Sequence, residues 1–311
     1  MTRARRHGLE RRSFLALGSG AGLGLLLSCG GADPGSPSGA TASPTPPPTT
    51  GDGPWNHDLK MAWSTDGATF DSPGLFLKAA GVPSLARLAD GRLLAAFQWF
   101  PDRGSPSWDR VATRQSLDGG GSWSDPQPIA VQGLPSTYQR PFDPTLVALP
   151  DGRVRIYFTS NPEGNPTGGD QNGFYSAIGS DGVNFTWEPG SRFWPGKSVV
   201  DCAALYWAGS FHLLAPAGSP SGGAYHAVAA DGLSFTRLDD IAASEQENWT
   251  GNLLAVGPLL RFYGTASAKG MWFRESADGA AWTQPRYLGL NGGDPAVVET
   301  PGGRFLIVFV S

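Results

Sequence analysis

Three aspartates stand at the start of short apolar segments that lie far apart in the sequence. Asp143 and Asp294 are each followed by a proline, and Asp201 is followed by Cys202. Carboxylates that meet in a partly desolvated site perturb one another's pKa, and this is how acid and base roles become separated within one site. These three aspartates are therefore the first candidates for catalysis, provided that the fold brings them together.

The elements that would position these aspartates form a repeat. One turn motif occurs five times, with an aspartate, a glycine directly after it and an aromatic residue four or five positions after the aspartate. The aspartate can accept backbone N–H groups across the turn, and the glycine supplies a positive φ. When the count runs from residue 311 on to residue 54, where the predicted domain starts, the five intervals are similar, so the repeat closes on itself. The five turn aspartates are Asp66, Asp118, Asp181, Asp231 and Asp278.

A second repeated element lies upstream of each turn motif. It reads as a strand, a two-residue turn such as Asp90-Gly91 and a second strand, which is typical of a hairpin. The whole unit has four strands in about 50 residues, the size of a propeller blade. We therefore predict an all-β, five-bladed β-propeller over residues 54–311. Its last blade would combine two C-terminal strands (296–310) with two strands from the start of the domain (59–71).

The turn motif resembles the Asp-box, or BNR repeat, of the sialidase-like β-propellers, over the whole of residues 54–311. The resemblance implies that the turn aspartates are structural and lie on the face away from any active site. The Asp-Pro pairs at 143 and 294 are similar to inner-strand starts of five-bladed arabinanase- and fructosidase-type glycosidases. In those families, three inner-strand carboxylates act as base or nucleophile, as pKa modulator and as general acid. Asp201 matches this pattern by position only.

The resemblance also suggests roles for residues in the upper loops, that is, the loops on the face of the propeller opposite the Asp-Gly turns. The general acid in those glycosidases is usually a glutamate, and no inner-strand start has one, so Glu247 or its neighbour Glu245 is the candidate acid. Aromatic rings are expected to stack on a sugar, and an arginine to pair with an acidic substituent. The substrate-binding candidates are Trp99, Arg140, Trp249 and Asn252.

Two functions remain open at this point. One is a glycoside hydrolase that uses these carboxylates, and the other is a non-catalytic propeller that binds a carbohydrate or a protein through the same loops. In the second case, the strand-start aspartates would only accept backbone N–H groups. A true sialidase needs an arginine directly before the Ile-Pro of its first inner strand, and the matching stretch here is Gly81-Val82-Pro83.

The first 53 residues are predicted to be an export signal and a tether. Arg11-Arg12-Ser13-Phe14-Leu15 resembles the twin-arginine motif, and Leu26-Leu27-Ser28-Cys29 resembles a bacterial lipobox. Residues 1–29 are therefore expected to be a lipoprotein signal peptide with lipidation at Cys29. Residues 30–53, rich in Pro, Ser, Thr and Gly, are expected to be a disordered tether. These features predict an exported protein, lipid-anchored to the cell envelope on its periplasmic or cell-surface side.

Composition and charge narrow the possible partners. The 44 Gly and 27 Pro, with eleven Trp and sixteen Phe, are typical of many short strands joined by tight turns. A net charge of −4 offers no basic face for nucleic acid. The histidines of the domain have no metal-ligand spacing, so we expect neither a metal site nor a cofactor. We expect a monomer whose partner is a glycan or polysaccharide, with membrane contact through the Cys29 lipid only.

Overall fold

The computed structural model describes residues 53–163, 171–218, 222–242, 247–266 and 269–311. The predicted signal peptide, the lipidation site Cys29 and the tether up to residue 52 lie outside the described residues, as does Glu245. The described chain forms five small sheets and one short 3₁₀ helix, Pro54–Asn56. It contains no helix that is long and apolar enough to cross a membrane.

The strands follow one another blade by blade around the ring. The domain begins with β1 (Leu59–Ser64) and β2 (Gly74–Leu77). Blade 1 contains β3 (Ala80–Arg87), β4 (Leu93–Trp99), β5 (Arg110–Ser116) and β6 (Gln127–Pro128). Blade 2 contains β7 (Ala130–Gln132), β8 (Phe142–Ala148), β9 (Val154–Ser160), β10 (Gly173–Gly179) and β11 (Asn184–Phe193).

The second half of the ring repeats this order. Blade 3 contains β12 (Ala203–Trp207), β13 (Ser210–Pro216), β14 (Ala224–Ala229) and β15 (Thr236–Arg237). Blade 4 contains β16 (Glu247–Val256), β17 (Leu259–Ala266), β18 (Gly270–Ser276) and β19 (Arg286–Tyr287). Blade 5 joins β20 (Gly293–Glu299) and β21 (Phe305–Val310) to β1 and β2. The five inner strands β3, β8, β12, β16 and β20 contact one another around the central axis.

The predicted five-bladed propeller and its closure by the two chain ends are confirmed. β1 pairs antiparallel with β21, from Leu59 opposite Val310 to Ser64 opposite Phe305. The outer strand of blade 5 lies later than expected, because Asp71 closes the preceding turn by accepting the N–H of Trp63 at 2.8 Å. Blade 2 has a fifth strand that the repeat did not predict, since β7 adds in parallel to the edge strand β11.

The turn aspartates make the local hydrogen bonds that their sequence motif predicts. Oδ1 of Asp66 accepts the N–H groups of Ala68 and Thr69, each at 2.8 Å. These backbone bonds, with a third from the Ser64 hydroxyl, lower the pKa of Asp66 to about 2. Equivalent bonds to backbone N–H groups are made by Asp118, Asp181, Asp231 and Asp278.

Each of these turns packs against the preceding blade. Tyr157 of blade 2 donates its hydroxyl to the carbonyl of Gly232 in blade 3 at 2.8 Å. Tyr263 of blade 4 donates to Gly67 in blade 5 at 2.7 Å. Gly232 has φ +70, and a Cβ there would overlap the Arg155 and Tyr157 side chains. Glycine is required here both for the conformation and for the close approach of the neighbouring blade.

A buried histidine pair lies at the junction of blades 3 and 4. Nδ1 of His212 and Nε2 of His226 are 3.2 Å apart, and both side chains lie beside Gly279 of the blade 4 turn. Burial lowers the pKa of both rings. The nearby His212 lowers that of His226 further, to about 4. The pair is therefore neutral at neutral pH and shares one hydrogen bond.

Removing residues 305–311 is expected to unfold the entire domain. β21 is the strand that pairs with both β1 and β20, and Phe305 to Phe309 are all buried. Without it the ring loses a blade and exposes two sheet edges. Thermal unfolding followed by circular dichroism should show no cooperative transition, whereas removal of Ser311 alone should preserve it. A cooperative transition in the longer truncation would show that closure is not needed.

Acidification is expected to weaken the junction of blades 3 and 4. His226 titrates near 6.5 when unfolded and near 4 when folded, so the unfolded chain binds more protons between these values. Stability should therefore fall as the pH drops from 6.5 towards 4, by about 3 kcal/mol for this group. Urea unfolding at several pH values would measure it. His226→Gln should flatten the dependence, and an unchanged slope in this variant would contradict this assignment.

Candidate functional site

Several inner strands begin with β-bulges, and the residue at this point adopts an unusual backbone conformation. In blades 1, 2 and 5 the strand pairing shifts by one residue at this point. Val82, Asp143 and Asp294 lie in these bulges with φ of 48°, 49° and 49°, and Asp201 has φ 59° before β12. Aspartate tolerates this left-handed region better than most residues, and valine tolerates it poorly. Val82 therefore shows that the blade geometry itself imposes the bulge.

The bulges surround a small cavity on the axis of the ring. The three predicted aspartates line it, and so do Thr145, Cys202 and Thr250. The structure therefore brings Asp143, Asp201 and Asp294 together at one place, from three different blades. The cavity volume is about 10 Å³, which is about what one water molecule needs. Among the described residues, no lysine, arginine or histidine lines the cavity.

The cavity wall is acidic, with Asp294 buried and Asp143 and Asp201 half-buried. Asp294 is 4% exposed, and Thr159 donates its hydroxyl to Oδ2 of Asp143 at 3.3 Å. Burial raises the pKa of the Cys202 thiol far above its usual range, and the negative charges of Asp143 and Asp201 raise it further. The Cys202 thiol thus stays protonated and is not a nucleophile. The chemistry available at this cavity is that of carboxylates and hydroxyls.

Glu247, the expected general acid, does not line this cavity. It is the first residue of β16 and is 4% exposed. Its Oε2 lies 2.6 Å from Nη2 of Arg274 on β18, so the two form a buried ion pair within blade 4. Glu247 is not part of the cavity lining. Its assignment as the general acid gains no support from this position.

Two of the expected substrate-binding residues are part of the packed interior. Trp249 is 1% exposed and its ring contacts Phe262 and Trp272 at centroid distances of 4.8 and 5.1 Å. Trp249 thus packs within the core, and its expected stacking on a sugar gains no support from this position. Asn252 accepts the N–H of Val297 at 2.9 Å and donates to its carbonyl at 3.0 Å. Its amide joins blades 4 and 5 and is not open to a ligand.

The other two expected residues lie near the upper ends of blades 1 and 2. Trp99 ends β4 and is half-buried against the core between blades 5 and 1. Arg140 lies three residues before Asp143 and keeps 28% of its side chain exposed. It forms an ion pair with Asp109 and donates from Nε to the Asp109 carbonyl at 2.6 Å. Burial lowers the pKa of Arg140, but its guanidinium remains a cation held by Asp109.

Sequence reasoning missed two residues. Thr250 lines the axial cavity from blade 4, at the position that aspartate holds in blades 2, 3 and 5. Aligning the weak fourth copy of the hairpin on Asn252 would have revealed it, because Asn252 pairs with Tyr263 as Thr145 pairs with Tyr157. Trp194 follows β11 and is 45% exposed, which makes it an open aromatic surface. No three His, Cys, Asp or Glu side chains of the described chain lie close enough to hold a metal ion.

Comparison with known proteins gives structural likeness only. No family model matches the sequence, and no curated protein does. The fold is similar to Zg3597, a family 117 glycoside hydrolase of Zobellia galactanivorans (TM-score 0.52, 13% identity, 83% of this chain and 91% of that one). It is similar to RS223 β-xylosidase (TM-score 0.53, 13% identity, 74% of this chain and 91% of that one). It also resembles an α-L-arabinofuranosidase of Lactobacillus brevis (TM-score 0.52, 16% identity, 72% of this chain and 80% of that one). At these identities the likeness shows a shared fold.

Replacing Trp249 is expected to destabilise the domain without any role in ligand contact. Trp249→Ala leaves a large cavity among the rings between blades 3 and 4 and should cost about 3–5 kcal/mol. Trp194→Ala, at an exposed position, should change stability by less than about 1 kcal/mol. Urea unfolding monitored by circular dichroism compares the two variants. Equal small effects would mean that Trp249 does not belong to the core.

Proposed function

We propose that this protein is a glycan-active propeller, and specifically a glycoside hydrolase whose catalytic groups are Asp143, Asp201 and Asp294. The observation that carries the proposal is that three carboxylates from three separate blades line one cavity on the axis. Solved structures of similar fold include enzymes named as a family 117 glycoside hydrolase, a β-xylosidase and an α-L-arabinofuranosidase, which supports a glycan as substrate.

In this proposal, hydrolysis needs one ionised carboxylate and one protonated carboxylic acid in the cavity. One carboxylate takes a proton from a water molecule, or attacks the anomeric carbon itself, while a carboxylic acid gives its proton to the leaving oxygen. A cavity of about 10 Å³ cannot admit a sugar ring, so the ring would lie at its mouth. Arg140 and Trp99, both partly exposed, are the expected residues that remain available to contact it.

We also propose that the protein acts outside the cytoplasm, at the cell envelope. The Arg11-Arg12 pair and Cys29 support export and attachment of a lipid to Cys29, which would hold the propeller on the cell envelope as a monomer. A polysaccharide outside the cytoplasm is then the natural substrate class. Neither a cofactor nor nucleic acid has a part in this proposal.

A specific observation favours the alternative of a non-catalytic binding propeller. Val82 adopts the same left-handed conformation as the aspartates. The conformation therefore comes from the bulge, and aspartate suits such a bulge without any catalytic role. In addition, no glutamate lines the cavity within the described part of the chain. In this alternative the same face binds a carbohydrate or a protein and leaves it unchanged.

Replacing the cavity aspartates distinguishes a glycoside hydrolase from a non-catalytic binding propeller. Asp143→Asn, Asp201→Asn and Asp294→Asn should each lower kcat for glycoside hydrolysis by about 100-fold or more. The assay is a panel of aryl glycosides and oligosaccharides with the full-length protein. Asp151→Asn is the matched control, because Asp151 forms an ion pair with Arg153 in the exposed turn between β8 and β9.

The outcomes separate the roles clearly. Loss of turnover with an unchanged melting temperature supports catalysis. Glycan binding on an array without hydrolysis of any substrate, unaffected by the three replacements, supports the binding propeller. A large drop in melting temperature for the three variants, but not for Asp151→Asn, would show that these aspartates are structural.

A further inference from the structure

Blade 4 meets the axis differently from its neighbours. Its inner strand β16 carries a longer bulge, because the pairing moves from Asn248 opposite Thr265 to Gly251 opposite Gly264. Two extra residues are accommodated here, where blades 1, 2 and 5 accommodate one. Gly251 has φ +151, and a Cβ there would overlap the carbonyl of Tyr263. The backbone is thus specifically shaped at the point where Thr250 lines the cavity.

The hydroxyl of Thr250 is buried without a hydrogen-bond partner among the described residues. The residue is 3% exposed, and its Oγ1 is shielded from solvent. A buried hydroxyl left in this way costs about 1–3 kcal/mol. Two other hydroxyls near the axis, those of Ser84 and Thr145, form hydrogen bonds across blade junctions. The Ser84 hydroxyl accepts the Leu146 N–H at 2.9 Å, and the Thr145 hydroxyl donates to the Cys202 carbonyl.

The cavity that Thr250 lines has the size and the chemistry for one water molecule. Its volume of about 10 Å³ is near the lower limit that a buried water requires. A buried water also needs two to four polar partners, and the lining residues Thr250, Asp143, Asp201 and Asp294 carry a hydroxyl and three carboxyl groups. No described group of side chains around it is close enough to ligate a metal ion.

We propose that this cavity binds one ordered water molecule through the Thr250 hydroxyl and the surrounding carboxylates, and that Thr250 is a positioning residue for the hydrolytic water. The second part rests on the proposed function. The water oxygen forms a bond to the anomeric carbon as the glycosidic C–O bond breaks. One water proton passes to a carboxylate of the cavity, and the leaving oxygen takes a proton from a carboxylic acid, so charge and atoms balance.

Crystal structures of the full chain at near-atomic resolution test the water site. In the wild type and in Thr250→Ser, a water should lie about 2.5–3.0 Å from the hydroxyl of residue 250. In Thr250→Val, which keeps the shape and removes the hydroxyl, that water should be lost or displaced. A dry cavity in the wild type, or an unmoved water in Thr250→Val, would overturn the site. The wild-type density decides this part even if Thr250→Val fails to fold.

Kinetics test the positioning role. Thr250→Val should lower kcat by about 10- to 100-fold with KM nearly unchanged, because a misplaced nucleophile slows the chemical step alone. Thr250→Ser should restore most of kcat. Thr236→Val, on the exposed outer strand β15, is the matched control and should leave both constants unchanged. A rise in KM at constant kcat would indicate a substrate contact in place of water positioning.

The water site, the positioning role of Thr250 and the proposed function can each be overturned separately. If the water is present and the wild type hydrolyses no glycan, the proposed function fails and the water site stands. If the wild type is a hydrolase and both Thr250→Val and Thr250→Ser keep its kcat, the positioning role is overturned and the function stands. Should Thr250→Val not fold, a normal kcat in Thr250→Ala, which also lacks the hydroxyl, has the same meaning.

Discussion

The contact on which this ring depends is the packing of each Asp-Gly turn against the blade before it. At all five junctions a turn glycine faces side chains of the neighbour, as Tyr263 bonds to Gly67 and Thr113 bonds to Gly182. The aspartate holds the turn in shape by accepting backbone N–H groups, and the glycine lets the two backbones approach. Each such bond is worth only about 1 kcal/mol. The five turn contacts act together around the closed ring, because opening one junction exposes the apolar faces that two neighbouring blades bury against each other.

Closure of the ring also creates the candidate site. Five inner strands that converge on one axis have little room at their starts, and the bulges bend the chain there. The bulged residue must adopt a left-handed conformation, which aspartate tolerates. Asp143 and Asp294 lie in such bulges, and together with Asp201, which precedes β12, they line the axial cavity. The meeting of the strand starts is thus a consequence of closure, whereas the acidic side chains are present in only three of the five described blades.

The expected roles of Trp249 and Glu247, which gain no support from the structure, rested on one assumption. The stretch before Asn252 looks like an upper loop, because it is polar and contains no alternating pattern. The structure instead begins β16 at Glu247, opposite Ala266, and extends it to Val256. Trp249 is drawn into the ring cluster between blades 3 and 4, and Glu247 is held by Arg274. Burial against neighbouring aromatic side chains outweighed the local polarity of the segment.

The amino-acid sequence by itself determined the number of blades, the hairpin and turn chemistry, the closure by both ends and the presence of three aspartates at inner-strand starts. Those features follow from short-range patterns that recur with every blade, and Asp118 or Asp278 bonds only to its own turn. Only the tertiary structure decided the size of the axial cavity, the place of Thr250 in it and the burial of Trp249 and Asn252. These depend on how closely separate blades approach, and such long-range packing leaves no local pattern in the chain.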